Sequence, residues 1–107
     1  MRKRNSRKLV GHVGVDSGQV MICDPCYIDS HWEKVTWETH EEFLRLMEDN
    51  QNYFNYLGAC HASLKSENMA SQFDLGVCSS SGWGDGEYPV YATYQNGRVK
   101  KLEVVFF

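Results

Sequence analysis

The chain has 107 residues, enough for one compact core, and its 42% hydrophobic and 13% aromatic content excludes a wholly disordered chain. The net charge of -3 conceals an asymmetry: the first eight residues hold five of the 11 basic side chains and none of the 14 acidic ones, which leaves the remainder at -8. A body this acidic is a poor candidate for wrapping a phosphate backbone, so no stable duplex nucleic-acid partner is expected.

Residues 1–8 read as a solvated, mobile basic tail, and residues 9–107 as a single domain. No apolar run approaches the length of a membrane span. Gly11, His12, Gly14 and Asp16 interrupt any signal-peptide-like stretch after the tail. The expectation is a cytoplasmic protein without membrane contact, whose four cysteines are free thiols or metal ligands rather than disulfides.

Leu9 to Val15 is rich in Val and reads as a strand, and Gln19 to Cys23 as a second. Asp16-Ser17-Gly18 between them is turn chemistry, so the two are expected to form a hairpin. Pro25 lacks an N–H and ends the ladder. Thr39 to Glu42 has the spacing of a capping box, and Phe43, Leu44, Leu46 and Met47 recur at helical period. The spacing predicts a helix from Glu41 to Asp49. Tyr53, Phe54, Tyr56 and Leu57 open either a short helix or a strand. Phe73 to Ser79 reads as a strand, followed by a loop over residues 80–86. Glu87 to Tyr94 and Arg98 to Phe106 flank Asn96-Gly97, the strongest short signal for a type I′ hairpin. That turn places Tyr94 opposite Val99 and Tyr91 opposite Leu102. The predicted core is Val13, Val15, Val20, Ile22, Phe43, Leu46, Met47, Leu75, Val77, Tyr91, Leu102 and Val104. The predicted fold class is α+β: one antiparallel sheet of about five strands with one main helix packed on it.

Three kinds of chemistry come into question. Cys23-Asp24-Pro25-Cys26 offers one ligand pair with zinc spacing, and a closed site would draw on Cys60, His61 or Cys78. The same pair reads poorly as a redox motif, because no helix is predicted to begin at Cys26 and Asp24 raises a neighbouring thiol's pKa. Cys26, Ser17 or Ser63 could pair with His12, His31, His40 or His61, but none of these pairs sits in a catalytic motif. The most unusual stretch is Gly82-Trp83-Gly84-Asp85-Gly86. Either it is a strand connection with Trp83 folded onto the sheet, or it is a ligand loop on which Trp83 stacks and Asp85 accepts hydrogen bonds. It lacks the ligand pattern of an EF-hand and the Lys-Ser/Thr of a P-loop.

Asp16-Ser17-Gly18, Asp24-Pro25-Cys26-Tyr27, Gly84-Asp85-Gly86 with Tyr88 and Val90, and Gly97 with Val99 together resemble a small family of unknown function encoded by bacteria and their phages. The resemblance implies a fold and an origin, and no activity. It suggests a non-catalytic phage accessory protein in the host cytoplasm, acting against host defence by sequestering a nucleotide-derived signal or by blocking a host protein. The expected ligand-binding residues are Asp16, Ser17, Asp24, Tyr27, Trp83, Gly84, Asp85, Tyr88 and Arg98, with a homo-oligomer as a possible assembly and no cofactor. Two alternatives stand beside it: a structural zinc module on Cys23, Cys26, Cys60 and Cys78, and a hydrolase using Asp24 or Asp85.

Overall fold

A computed structural model describes residues 6–107; of the expected tail, residues 1–5 lie outside the described residues. The elements run β1 (Ser6–Val15), β2 (Gln19–Ile22), α1 (Cys26–Ser30), α2 (His40–Asp49), α3 (Tyr56–Leu64), β3 (Ala70–Phe73), β4 (Gly76–Ser80), β5 (Gly86–Gln95) and β6 (Arg98–Val104). The class is α+β with antiparallel pairing, as expected, but the strands form two three-stranded sheets, β1-β5-β6 and β2-β4-β3, and there are three helices. Two compact units follow: unit 1 is Met1–Gly18 with Ser81–Phe107, and unit 2 is Gln19–Ser80. Among the described residues no helix is long and apolar enough to cross a membrane.

In unit 1, β1 pairs with β5 from Ser6↔Tyr94 to Val15↔Gly86, so Ser6 to Lys8 are strand. The hairpin expected between β1 and β2 does not form. The turn residues find other partners: Gly18 N–H donates to Asp85 Oδ1 (2.9 Å), and Gly18 O accepts from Ser81 N–H (2.8 Å). The second hairpin forms as expected. Asn96 and Gly97 both have positive φ (55° and 77°), as a type I′ turn requires, and Tyr94 opposes Val99.

The register then shifts, and Lys100 is left without an opposite residue. Leu102 therefore faces Ala92, and Tyr91 faces Glu103 rather than Leu102. One extra residue exchanges the two faces of the strand. Tyr91 now shares a face with Arg7, whose guanidinium carbon lies 3.7 Å from the ring centroid and whose Nε donates to Glu103 Oε1 (2.7 Å). That bond holds the Glu103 carboxyl below the usual carboxylate range. Val15 is buried as expected, and Tyr88 and Ala92 are buried with it. Leu102, expected in the core, is exposed.

In unit 2, α2 starts where its capping box predicts. Thr39 Oγ1 accepts from Glu42 N–H (3.1 Å), and Glu42 Oε2 accepts from Glu38 N–H (3.2 Å). Met47 is fully buried; Phe43 and Leu46 pack half-buried beside it, with Leu57 and Cys60 of α3. Of the two readings left open after Tyr53, the helix forms, as α3. Leu57, Gly58, Ala59, Cys60, Ala62 and Ser63 are all buried, so no polar face marks a period. It packs on β3, β4 and α2. Its other side joins Phe54, Phe73 and Cys78 in a second cluster, where the Phe54 and Phe73 rings stack at 5.7 Å.

The inner face of β4 is the reverse of the expected one. Gly76 and Cys78 point inward, while Val77 and its cross-strand neighbour Ile22 are exposed, as is Leu75. Gly76 sits inside because a Cβ there would meet Phe73 Cε1 at 3.2 Å and Ile22 O at 3.3 Å. Large aromatic neighbours occupy the volume a Val would need.

Gly58 is the most constrained position, since a Cβ there would lie 1.9 Å from Tyr53 O and 3.1 Å from Asn50 O. Alanine favours a helix interior over glycine by about 1 kcal/mol, but forcing a backbone carbonyl aside costs on the order of 1–3 kcal/mol or more. Gly58→Ala is expected to lower Tm, measured by thermal unfolding of the whole chain. An equal or higher Tm would refute the close approach.

Candidate functional site

The Gly-rich loop is held from several sides. Ser81 is fully buried, and its Oγ donates to Gly84 O (2.6 Å). Tyr88 Oη donates to the same carbonyl (2.7 Å), and Asp85 Oδ1 accepts from Gly18 N–H. Gly82 and Gly84 have φ of 76° and 85°, a region in which glycine alone is unstrained. These bonds give the loop one conformation, and that conformation projects Trp83 into solvent with 72% of its surface exposed. Trp83 is therefore not folded onto the sheet.

The residues expected around a ligand thus divide by role. Gly84, Asp85 and Tyr88 use their polar atoms to pin the loop, and Asp16 and Ser17 belong to the turn it is pinned to. Trp83 is what the arrangement presents. Arg98 stands at the opposite end of β5, across from Gln95. Ten strand residues separate it from Asp85 by roughly 30 Å, so it does not join the loop. Arg98 instead lines a cleft of about 510 Å³ at the Asn96-Gly97 turn, with Lys100.

Asp24 and Tyr27 belong to unit 2. Here a helix does begin at Cys26, contrary to expectation: α1 runs from Cys26 to Ser30 after Pro25, whose φ of -59° is already helical. Asp24 Oδ1 accepts from Cys26 N–H (3.0 Å), which supplies a first-turn donor with its acceptor. This bond lowers the Asp24 carboxyl, and hydrogen bonding from the Cys26 thiol to Asp24 raises that thiol. The helix is present, but the neighbouring carboxylate disfavours the thiolate. Tyr27 packs edge-on against His31 at 5.1 Å and against the Phe54 cluster.

Cys60 and Cys78 are buried on a shared amide. Gln19 Nε2 donates to Cys60 Sγ (3.2 Å), while Gln19 Oε1 accepts from Cys78 Sγ (3.4 Å) and from the Ser63 hydroxyl. Burial raises both thiols, Cys78 to about 11. They behave as small core residues whose polar edges are satisfied. Among the described residues no three His, Cys, Asp or Glu side chains gather around a common point for a metal ion, and Cys23, Cys26, Cys60 and Cys78 are all free cysteines.

A hydroxyl–imidazole contact occurs at a pair the sequence does not mark, Ser30 Oγ with His31 Nδ1 (2.7 Å). Ser30 also donates to Cys26 O (3.1 Å), and a hydroxyl has one proton. Which of the two acceptors takes that proton is set by the His31 tautomer. The contact orients the imidazole.

Replacing Asp24 should release Cys26. Alkylation of Cys26 by iodoacetamide, followed against pH by mass spectrometry, is expected to have its midpoint above the ordinary thiol range, because the thiolate form is disfavoured below it. Asp24→Asn should move the midpoint down and speed labelling near neutral pH. Identical profiles in the two proteins would rule out control by Asp24.

Residues 9–103 match a family described as "Protein of unknown function (DUF4241)". No curated protein matches the chain. No solved structure matches it either. With nearly the whole length of the chain matched, from the first strand to the last, the chain belongs to the DUF4241 family.

Proposed function

We propose that the protein is a non-catalytic binding module that docks on a partner protein through Trp83. The observation that carries this reading is a tryptophan exposed by 72% on a loop whose conformation is held by Ser81, Asp85 and Tyr88. A flexible loop would lose much of its binding energy to ordering; a pinned one does not. Burying the open face of a tryptophan contributes roughly 3–4 kcal/mol, the scale of an interface anchor. In a phage-encoded chain such docking would block a host protein.

Trp83 lines neither cleft described in this structure. A projecting ring fits a pocket on a partner better than it encloses a nucleotide, which favours blocking over sequestration. Asp85 and Asp24 are both used within the fold, which favours the binding reading over a hydrolase. Each carboxylate already accepts from a backbone N–H.

The test is affinity capture from a bacterial lysate with the native chain and with Trp83→Ala, followed by titration of the captured protein. Trp83→Ala is expected to weaken binding by about a hundredfold while leaving Tm unchanged, because the ring makes little contact in the free protein. Equal affinity of the two proteins would refute the anchor. Saturable quenching of tryptophan fluorescence by a mononucleotide, lost in Trp83→Ala, would replace the protein partner with a stacked nucleotide.

A further inference from the structure

Charge divides along the two units. Unit 2 has ten acidic side chains against three basic ones, Lys34, Arg45 and Lys65, a formal -7; unit 1 has eight basic against four acidic, a formal +4. Within unit 2 a cleft of about 510 Å³ is lined by His31, Trp32, Glu33, Asn52, Tyr53 and Asp74, among others.

Its walls are fixed by backbone bonds. His31 and Trp32 N–H both donate to Tyr27 O (2.9 and 3.1 Å), and Glu33 N–H donates to Phe54 O (3.1 Å). The Trp32 ring stands edge-on to Phe54 at 5.2 Å. Asp74 Oδ atoms and the Glu33 carboxylate make no hydrogen bond or ion pair among the described residues. Tyr53 is more than half exposed. His31 Nδ1 lies 2.7 Å from Ser30 Oγ, a contact that fixes the ring at the cleft wall.

We infer that this cleft binds a small organic cation of the polyamine class. Two unpaired carboxylates supply oxygen lone pairs with no Lys or Arg in the lining, and Trp32 and Tyr53 supply the aromatic surface on which alkylammonium groups are held. The surrounding excess of negative charge concentrates cations at the mouth. A bare divalent metal ion fits less well, since no three ligating side chains gather at one point among the described residues. An ammonium chain needs only separate contacts along its length. This site lies in unit 2 and is independent of the Trp83 reading, which concerns unit 1.

The experiment is isothermal titration of the full chain with spermidine at low and at physiological salt, with magnesium chloride as a competitor. One-site binding is expected. The double variant Glu33→Gln with Asp74→Asn should weaken it by about tenfold or more at unchanged Tm. Asparagine tolerates the positive φ of residue 74 (46°), so this variant keeps the turn. A control double variant, Glu41→Gln with Glu67→Gln, removes the same charge from exposed positions outside the cleft and should keep the affinity. No saturable binding, equal weakening by the control variant, or full displacement by magnesium at matched ionic strength would each overturn the inference.

Discussion

Between α2 and α3 the chain turns so tightly that the Tyr53 carbonyl occupies the place of a side chain on residue 58. Everything in unit 2 depends on this approach. It is locked by Asn55, which is fully buried, accepts from Gly58 N–H (2.8 Å) and donates to Asn50 Oδ1 (3.1 Å). A buried polar side chain with satisfied bonds specifies one geometry, because any other leaves its donors unpaired. The turn sets the direction of α3. That helix then presents Leu57 and Cys60 to α2 on one side, and Ala59 and Ala62 to Phe54 and Phe73 on the other. The small residues of α3 are what let its surroundings close in from both sides.

Unit 1 solves a different problem. A three-stranded sheet leaves little to bury, and Val15, Tyr88 and Ala92 are its apolar core. Order at the Trp83 end comes instead from polar bonds, with the Gly84 carbonyl accepting from both Ser81 and Tyr88. On the face carrying Tyr91, the Arg7 guanidinium lies over the ring and bonds Glu103, so three side chains from three strands act as one cross-sheet contact. Arg7 thus has a structural role although its place in a run of basic residues suggests a solvated tail.

The residues called on for binding separate into framework and display for the same reason. Asp85 and Asp24 are carboxylates in loops, where backbone N–H groups lack ladder partners and a nearby carboxylate becomes their acceptor. The type of residue was legible as something that accepts hydrogen bonds. Whether it would accept from a ligand or from its own chain depends on which N–H the fold brings near. The cleft in unit 2 was not legible at all, because His31, Asn52 and Asp74 come from three distant segments and carry no common motif.

Local signals held where the decisive physics is local. The capping box of α2 and the Asn96-Gly97 turn follow from a bond or φ values within a few residues. The tertiary structure decided the rest. Pairing of β1 with β5 rather than β2 depends on the distant loop that captures Gly18. The unmatched Lys100 exchanged the faces of β6, since alternation specifies a period and not which phase is inside. The sequence left α3 open between a helix and a strand, because a helix buried all round has no amphipathic period. Trp83 could have been core or display on its sequence alone. The bonds from Ser81, Asp85 and Tyr88 turned it outward.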